Sequence, residues 1–343
     1  GGQELGQAPG DLGVVLADQA GRREGLESRH VEGAAGDPGD PGAGGVDPGV
    51  EDAAGGRLVV DPYARQLGPD TQRSNAVVVD PTTFAWSDRG WRTPDPADLI
   101  LYEVSVHGFT DGDPDIRPDQ QGRFDGITER IRTGYFDSLG VTALSLMPLA
   151  EVPSMQGPQS LGYDPSLYHA VERDFGGPDD LRRLVDAAHG RGLALLVDMV
   201  FNHTSNDFNP LWDLVLEQPD DAGGGLYFNG ATPWGNRVAT EKADVQNLLI
   251  DACRMLVGEY HVDGFRLDAT HTDYMDHGFL HRPGDSPVHR LPAGGKLLGL
   301  AAVGAGFLNA RIEASSAAPT RPPPRNRSGS RNSGHPICQA SSV

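Results

Sequence analysis

The sequence predicts an α/β protein built on a parallel sheet, and three observations carry that prediction. Four short runs, residues 99–106, 141–148, 193–200 and 262–269, are nearly continuous in apolar residues, as strands covered on both faces are. Helix-period segments separate them. The order strand–helix–strand then repeats, and a connection of that length joins parallel rather than antiparallel neighbours.

Along the chain, residues 1–56 show no strand or helix period. The run Gly36-Asp37-Pro38-Gly39-Asp40-Pro41-Gly42 is turn-former after turn-former. Such composition buries too little apolar surface to offset chain entropy, so this stretch is expected to be disordered or out of frame; there is no initiator Met. Residues 57–96 follow. Leu58-Val59-Val60-Asp61-Pro62-Tyr63-Ala64 reads as a strand closing into a turn, and Ala76-Val77-Val78-Val79 as a second strand. Phe84, Trp86 and Trp91 come next, with Pro94 and Pro96 as linker punctuation. This is the end of a small β domain joined to something larger.

Residues 97–280 hold the alternating pattern. In 124–139, Ile127, Ile131, Tyr135 and Leu139 recur at helical spacing, although Gly126 and Gly134 weaken the helix. Helix 179–191 starts at Pro178-Asp179, lines one face with Leu181, Leu184, Val185 and Ala188, and stops at Gly192. Helix 244–260 turns Leu248, Leu249, Ala252, Met255 and Leu256 inward. From 281 to 343 the pattern collapses into an apolar, Gly-rich stretch and then a tail rich in Ser, Pro and Arg, expected to be irregular or disordered.

The formal net charge of −20 argues against nucleic acid and anionic membrane as partners, because both need clustered Lys and Arg. No apolar run is long enough to span a membrane and no leader is evident, so a cytoplasmic location is the default. Cys253 and Cys338 make no disulfide or metal pattern. Asp111, Asp113 and Asp115 lack the Gly and Glu of a calcium loop. His271 and His277 with Asp273 and Asp276 fit no zinc spacing. Glycines 223–225 do not follow a strand and open no helix, which excludes a phosphate loop. No metal and no cofactor is expected.

The polar residues at the strand ends point to chemistry. Arg266 lies two residues before Asp268, so on a strand both face the same way. A guanidinium beside a carboxylate keeps it ionised and fixes its direction, as a carboxylate nucleophile requires. A structural Arg–Asp pair at a strand end fits these residues equally well. The third strand ends in Asp198, followed by Asn202 and His203, and the loop after the second carries Gly162-Tyr163-Asp164-Pro165 and Tyr168. Reactive residues of parallel α/β barrels gather at the C-terminal strand ends. Carboxylates, an imidazole and an exposed aromatic on one face suit a sugar: the ring stacks on tyrosine, hydroxyls bond to His and Asp, and a carboxylate attacks the anomeric carbon.

Taken together, these stretches resemble the α-amylase superfamily, glycoside hydrolase family 13, over residues 57–280. Asp198-Met199-Val200-Phe201-Asn202-His203 resembles the family's first signature and Gly264-Phe265-Arg266-Leu267-Asp268 its second. Leu161-Gly162-Tyr163-Asp164-Pro165 followed by Tyr168 resembles its substrate-stacking loop, and Leu58 to Ala64 the end of the β-sandwich carbohydrate-binding module of branching and debranching enzymes. Pro233-Trp234-Gly235 is similar to the same group, which includes the maltooligosyltrehalose trehalohydrolases. Each motif alone is weak; their order and spacing carry the resemblance.

The resemblance implies a (β/α)8 TIM-type barrel, here with its first four strand–helix units, preceded by the remnant of that β-sandwich module. It implies a retaining hydrolase or transglycosylase acting on an α-glucan, whether glycogen, starch or maltooligosaccharide. Asp268 is then the nucleophile and Arg266 holds it ionised. His203 and Tyr163 contact the sugar, Asp198 braces Arg266 and His203, and Asn202 stabilises the loop. A retaining glycosidase also needs a carboxylic acid as proton donor. Downstream, the chain offers Glu313 in Ala310-Arg311-Ile312-Glu313-Ala314, and the Pro- and Arg-rich sequence after it disfavours further strands. The chain is therefore expected to be truncated or frame-disrupted at both ends. Two alternatives stand beside the enzyme: a catalytically inactive α-glucan-binding fragment, and a non-carbohydrate barrel whose Arg-x-Asp is structural.

Overall fold

The apolar runs become one parallel sheet because each lacks the polar alternation that a half-exposed strand needs. The computed structural model describes residues 58–95 and 98–279, apart from Asp70, 72–74, 216–224, Thr272 and His277. It also describes the strand backbone at 46–47, 50–51, 298–303 and 306–308.

In chain order, four two-residue strands come first: β1 (Val46–Asp47), β2 (Val50–Glu51), β3 (Leu58–Val59) and β4 (Ala76–Val77). They pair antiparallel as β1 with β4 and β2 with β3. Then follow β5 (Leu101–Val104), α1 (Val106–Thr110), α2 (Phe124–Arg132), α3 (Tyr135–Leu139), β6 (Ala143–Leu146) and a hairpin of β7 (Ala150–Glu151) and β8 (Leu167–Val171). Next come α4 (Pro178–Gly190), β9 (Ala194–Met199), β10 (His203–Thr204), α5 (Pro210–Val215), β11 (Phe228–Ala231), β12 (Asn236–Val238), α6 (Ala243–Tyr260) and β13 (Gly264–Leu267). The last are β14 (Leu298–Val303) and β15 (Gly306–Leu308).

The main sheet runs β5-β6-β9-β13-β14 with every pair parallel, and β15 joins β14 antiparallel. Its outward face packs Leu144, Leu146, Leu195 and Val197 into one core with Ile127, Ile131 and Phe136 and with Leu181, Leu184 and Val185 of α4. The period of two then turns Ala143, Ala194 and Leu196 inward, where they form a small cluster against Trp91 and Leu99. Asp198 continues that inward series one repeat later. The linker is tied to the N-terminal end of the sheet: Trp91 Nε1 and the Thr93 hydroxyl both donate to Asp263 Oδ1, at 2.7 and 2.6 Å. Trp91 also stacks on His189, with centroids 4.4 Å apart.

Several expectations need correction. The helix over 124–139 is two helices, because Gly134 adopts a left-handed backbone (φ 79°) that ends α2. The barrel part is not limited to four strands. A fifth parallel strand, β14, lies in the tail read as irregular and satisfies the backbone edge of β13 in register from Gly264↔Leu298 to Leu267↔Ala301. Strands β1 and β2 lie in the stretch read as disordered; the rest of that stretch and residues 309–343, with Glu313 and Cys338, fall outside the described residues. Asp113 of the aspartate cluster is an ion-pair residue, its carboxylate paired with Arg130 at 2.5 Å.

Candidate active site

Parallel pairing of β9 and β13 sets Arg266 directly across from Asp198. Both side chains lie on the inward face at the C-terminal strand ends, so a cation and an anion meet without any loop being needed to bring them together. Arg266 Nη1 pairs with Asp198 Oδ2 and stands 3.2 Å from Asp268 Oδ1. The guanidinium thus bridges the two carboxylates, one buried and one open. Asp198 is 1% exposed, whereas about a fifth of the Asp268 side chain is exposed (22%).

Tyr163 completes the brace. Its hydroxyl donates to Asp198 Oδ2 at 2.7 Å and lies 3.3 Å from Arg266 Nη1. The loop reaches this point through Gly162, whose φ of +83° is left-handed and whose Cβ, if added, would sit 2.4 Å from the Pro148 carbonyl oxygen. Only glycine fits there. Burial and the neighbouring Asp198 charge raise the tyrosine well above its ordinary range, so it stays a hydrogen-bond donor. Burial pushes Asp198 up to about 6, against the pull of the Tyr163 bond and Arg266.

Asp268 is fixed from behind. Its amide donates to the Met199 carbonyl at 3.0 Å, and the Asn202 side-chain amide donates to its carbonyl, also at 3.0 Å. The next residue, Ala269, has φ 42°, which turns the chain away just after the carboxylate. Asn202 Oδ1 accepts from His203 Nδ1, so one buried amide orients both the imidazole and the strand end. Burial lowers the pKa of His203.

All six residues singled out in the sequence therefore converge, with one change of role. Among the contacts of Asp198 are Tyr163 and Arg266; the one that reaches His203 is Asn202. Tyr168 does not face the opening: it is buried in β8 and its hydroxyl donates to the His203 carbonyl at 3.2 Å. Trp234, which sequence motifs alone do not place in a site, stands beside these residues. It is 53% exposed, its ring centroid is 5.8 Å from His203, and Tyr274 meets it edge-on at 5.3 Å. The available signal was Gly235: a Cβ there would lie 2.2 Å from the Thr204 carbonyl oxygen, so β12 approaches β10 closely enough to hold the tryptophan beside His203.

Residues 104–223 match the family model for alpha amylase, catalytic domain. The chain is similar to the malto-oligosyltrehalose trehalohydrolase of Deinococcus radiodurans, 36% identical over 210 residues, covering 61% of this chain and 31% of that one. It is 33% identical over 218 residues to the enzyme of the same name from Saccharolobus solfataricus, covering 62% and 34%. A solved Salmonella typhimurium chain named after alpha amylase superposes with a TM-score of 0.61 at 29% identity, covering 75% of this chain and 41% of that one. The chain thus spans about a third of the length of the curated relatives it matches. Among the described residues no helix is long and apolar enough to cross a membrane. Over the stretch 104–223, the chain is thus similar to the α-amylase catalytic domain.

Proposed function

We propose that this chain carries the nucleophile half of a retaining α-glucan-active glycoside hydrolase or transglycosylase, with Asp268 as the nucleophile. The observation that supports this best is the Arg266 bridge, which leaves Asp268 open while it ties the second carboxylate, Asp198, into the buried wall. An aimed, accessible carboxylate opposite a sugar face is what formation of a glycosyl-enzyme ester needs. His203 and Tyr163 hold the cleaved sugar, with Trp234 offering a ring face beside them. Glycogen, starch and maltooligosaccharides are the substrate class. The Deinococcus and Saccharolobus relatives, by name, act on malto-oligosyltrehalose, and a Nocardia farcinica relative at 32% identity is named a 1,4-alpha-glucan branching enzyme.

In the reaction, Asp268 attacks the anomeric carbon and the bond to the leaving oxygen breaks. A proton donor must protonate that oxygen, and Asp198 is badly placed to do so, being buried and shared between Tyr163 and Arg266. This favours, as a second reading, α-glucan binding without turnover. A 5-fluoro glycosyl fluoride separates the two. Covalent label on the peptide holding Asp268 supports the nucleophile. A folded, amylose-retained sample that takes no label and releases no sugar supports binding alone, and a sample that does neither rejects both. We also propose a cytoplasmic location, no metal and no cofactor.

A further inference from the structure

Away from the Arg266 bridge, two more carboxylates are buried side by side. Glu151 ends β7 and is fully buried; Glu172 follows β8 and is 4% exposed. They cross-brace the hairpin. The Arg173 amide donates to Glu151 Oε2 at 3.1 Å, while the Val152 and Asp174 amides donate to Glu172 Oε2 and Oε1 at 2.9 and 3.0 Å. Between β7 and β8 runs the loop that carries Tyr163. At its root, Thr71 Oγ1 lies 2.6 Å from both Glu151 Oε1 and Ser154 Oγ, and the Thr71 amide donates to Ser154 Oγ at 2.8 Å. Glu151 thus joins the N-terminal segment, the hairpin and the loop.

Charge at this cluster does not balance. Among the described residues, the charged groups facing the pair are Arg173 and Asp174. Arg173 Nε is 3.9 Å from Glu151 Oε1, too far for a hydrogen bond, and its Nη2 is 3.2 Å from Asp174. One shared guanidinium therefore faces three carboxylates, and two buried anions cost more than keeping a proton. Burial, then the Glu172 charge, push Glu151 up to about 8, and burial pushes Glu172 upward too.

We propose that Glu151 and Glu172 hold one proton between them and form a pH-operated lock on the loop that carries Tyr163. With the proton in place, the pair pins the loop root to Thr71 and to the end of β8. When base removes it, two buried anions repel, the root loosens, and Tyr163 is no longer held against Asp198. The sign of the stability effect is opposite to that of an ordinary paired carboxylate. The folded state keeps a proton that the unfolded chain releases near the ordinary value of 4.5, so stability falls as pH rises from there to about 8.

The test uses the full chain, as wild type and as Glu151→Gln and Glu172→Gln, and does not depend on catalysis. Melting temperature and backbone hydrogen exchange of residues 154–164, corrected for intrinsic rate, are followed from pH 6 to 9. One proton over about two pH units predicts a wild-type Tm loss of roughly 5–10 °C. Loop exchange should rise by about tenfold or more in the same window, one factor of ten per 1.4 kcal/mol. Each glutamine variant, with its neutral amide, should flatten both curves. Equal slopes in wild type and variants overturn the proposal. If neither variant folds, the wild-type exchange series decides alone, and loop protection constant from pH 6 to 9 overturns it.

Discussion

Replacing Asp198 by Asn isolates what the buried carboxylate does for its neighbours. The change keeps the side chain's shape and one oxygen but removes the charge. Asp198 accepts the Tyr163 hydroxyl at 2.7 Å and pairs with Arg266 Nη1. Hydrogen bonds to a charged group contribute about 1.5–3 kcal/mol each and neutral ones about half that. Two such bonds weakened in this way cost roughly 1.5–3 kcal/mol. The larger penalty of about 3–5 kcal/mol for stranding a buried ion is not reached, because Arg266 keeps Asp268 at 3.2 Å and a quarter of its side chain is exposed (25%). Against that loss stands the burial cost that pushes Asp198 up to about 6 and that the neutral amide does not carry, so Tm near pH 7 should stay within about 5 °C of wild type.

The effect on turnover should be greater. Released from Asp198, the guanidinium is drawn onto Asp268 and caps the oxygen that, as the proposed nucleophile, has to reach the anomeric carbon. A fall in kcat of about a hundredfold with KM changed only a few-fold is expected, a loss confined to the transition state. The pH profile adds an independent check. Asp198 sits at about 6 by burial, so the Arg266 pair is complete above that pH and is lost as pH falls through it. Since the folded value lies above the ordinary 3.8, stability itself falls as pH rises from 3.8 to about 6. Wild-type kcat on a maltooligosaccharide should therefore show an acid limb near 6 that is missing from the Asp198→Asn profile. A variant with kcat within twofold of wild type and the same acid limb would refute the bracing argument.

Trp234→Ala removes an exposed ring, so Tm should hold while KM for a long maltooligosaccharide rises about tenfold, the order of one stacking contact; steady-state kinetics with thermal melting checks both halves. Gly162→Ala forces a side chain into φ +83° and 2.4 Å from a carbonyl oxygen, and a loss of about 2–4 kcal/mol in urea unfolding is expected. Leu195→Ala opens a cavity under β9, where the side chain is fully buried, and should cost about 2–5 kcal/mol by the same assay. Asn202→Ala frees both the His203 ring and the Asp268 carbonyl; kcat should fall at least tenfold with a Tm loss of only a few degrees, about 1–2 kcal/mol.

How far the sequence could be read depended on whether each feature was local. The strands β5, β6, β9 and β13 were legible because an unbroken apolar run needs only its own residues to be recognised, and each turned out shorter at its ends than the run itself. The pairing of Arg266 with Asp268 followed from a period of two. The partner of Asp198 did not follow from any local period: Arg266 lies across from it by inter-strand register, and only the family resemblance supplied that contact. The break at Gly134 was visible as a weakness but not as a turn, since a glycine within a helical period is tolerated as often as it is used. Strand β14 was missed because its run is separated from β13 by a long stretch without a helical period, so the strand–helix–strand cue was absent. The pair Glu151–Glu172 was invisible for another reason. Both are ordinary acidic residues in sequence, and only the packing of β7, β8 and Thr71 around them removes the water that would otherwise solvate their charges.

These differences bear on how the site is built. Its rigid half, Asp198 with Arg266 and Asp268, rests on two neighbouring parallel strands whose register is fixed by the core beneath them. Its adjustable half, Tyr163 and Trp234, rests on excursions that leave the strand ends and are anchored at two glycines where no other residue fits. A carboxylate that must be aimed within a fraction of an ångström belongs on the first kind of support. Groups proposed to grip a sugar belong on the second, because loops change without disturbing the sheet. A substitution in the strand pair should therefore lower kcat, and one in the excursions should move KM. The opposite split, with Gly162→Ala changing only kcat and Asp198→Asn only KM, would mean that the tyrosine loop, and not the strand register, sets the aim of Asp268.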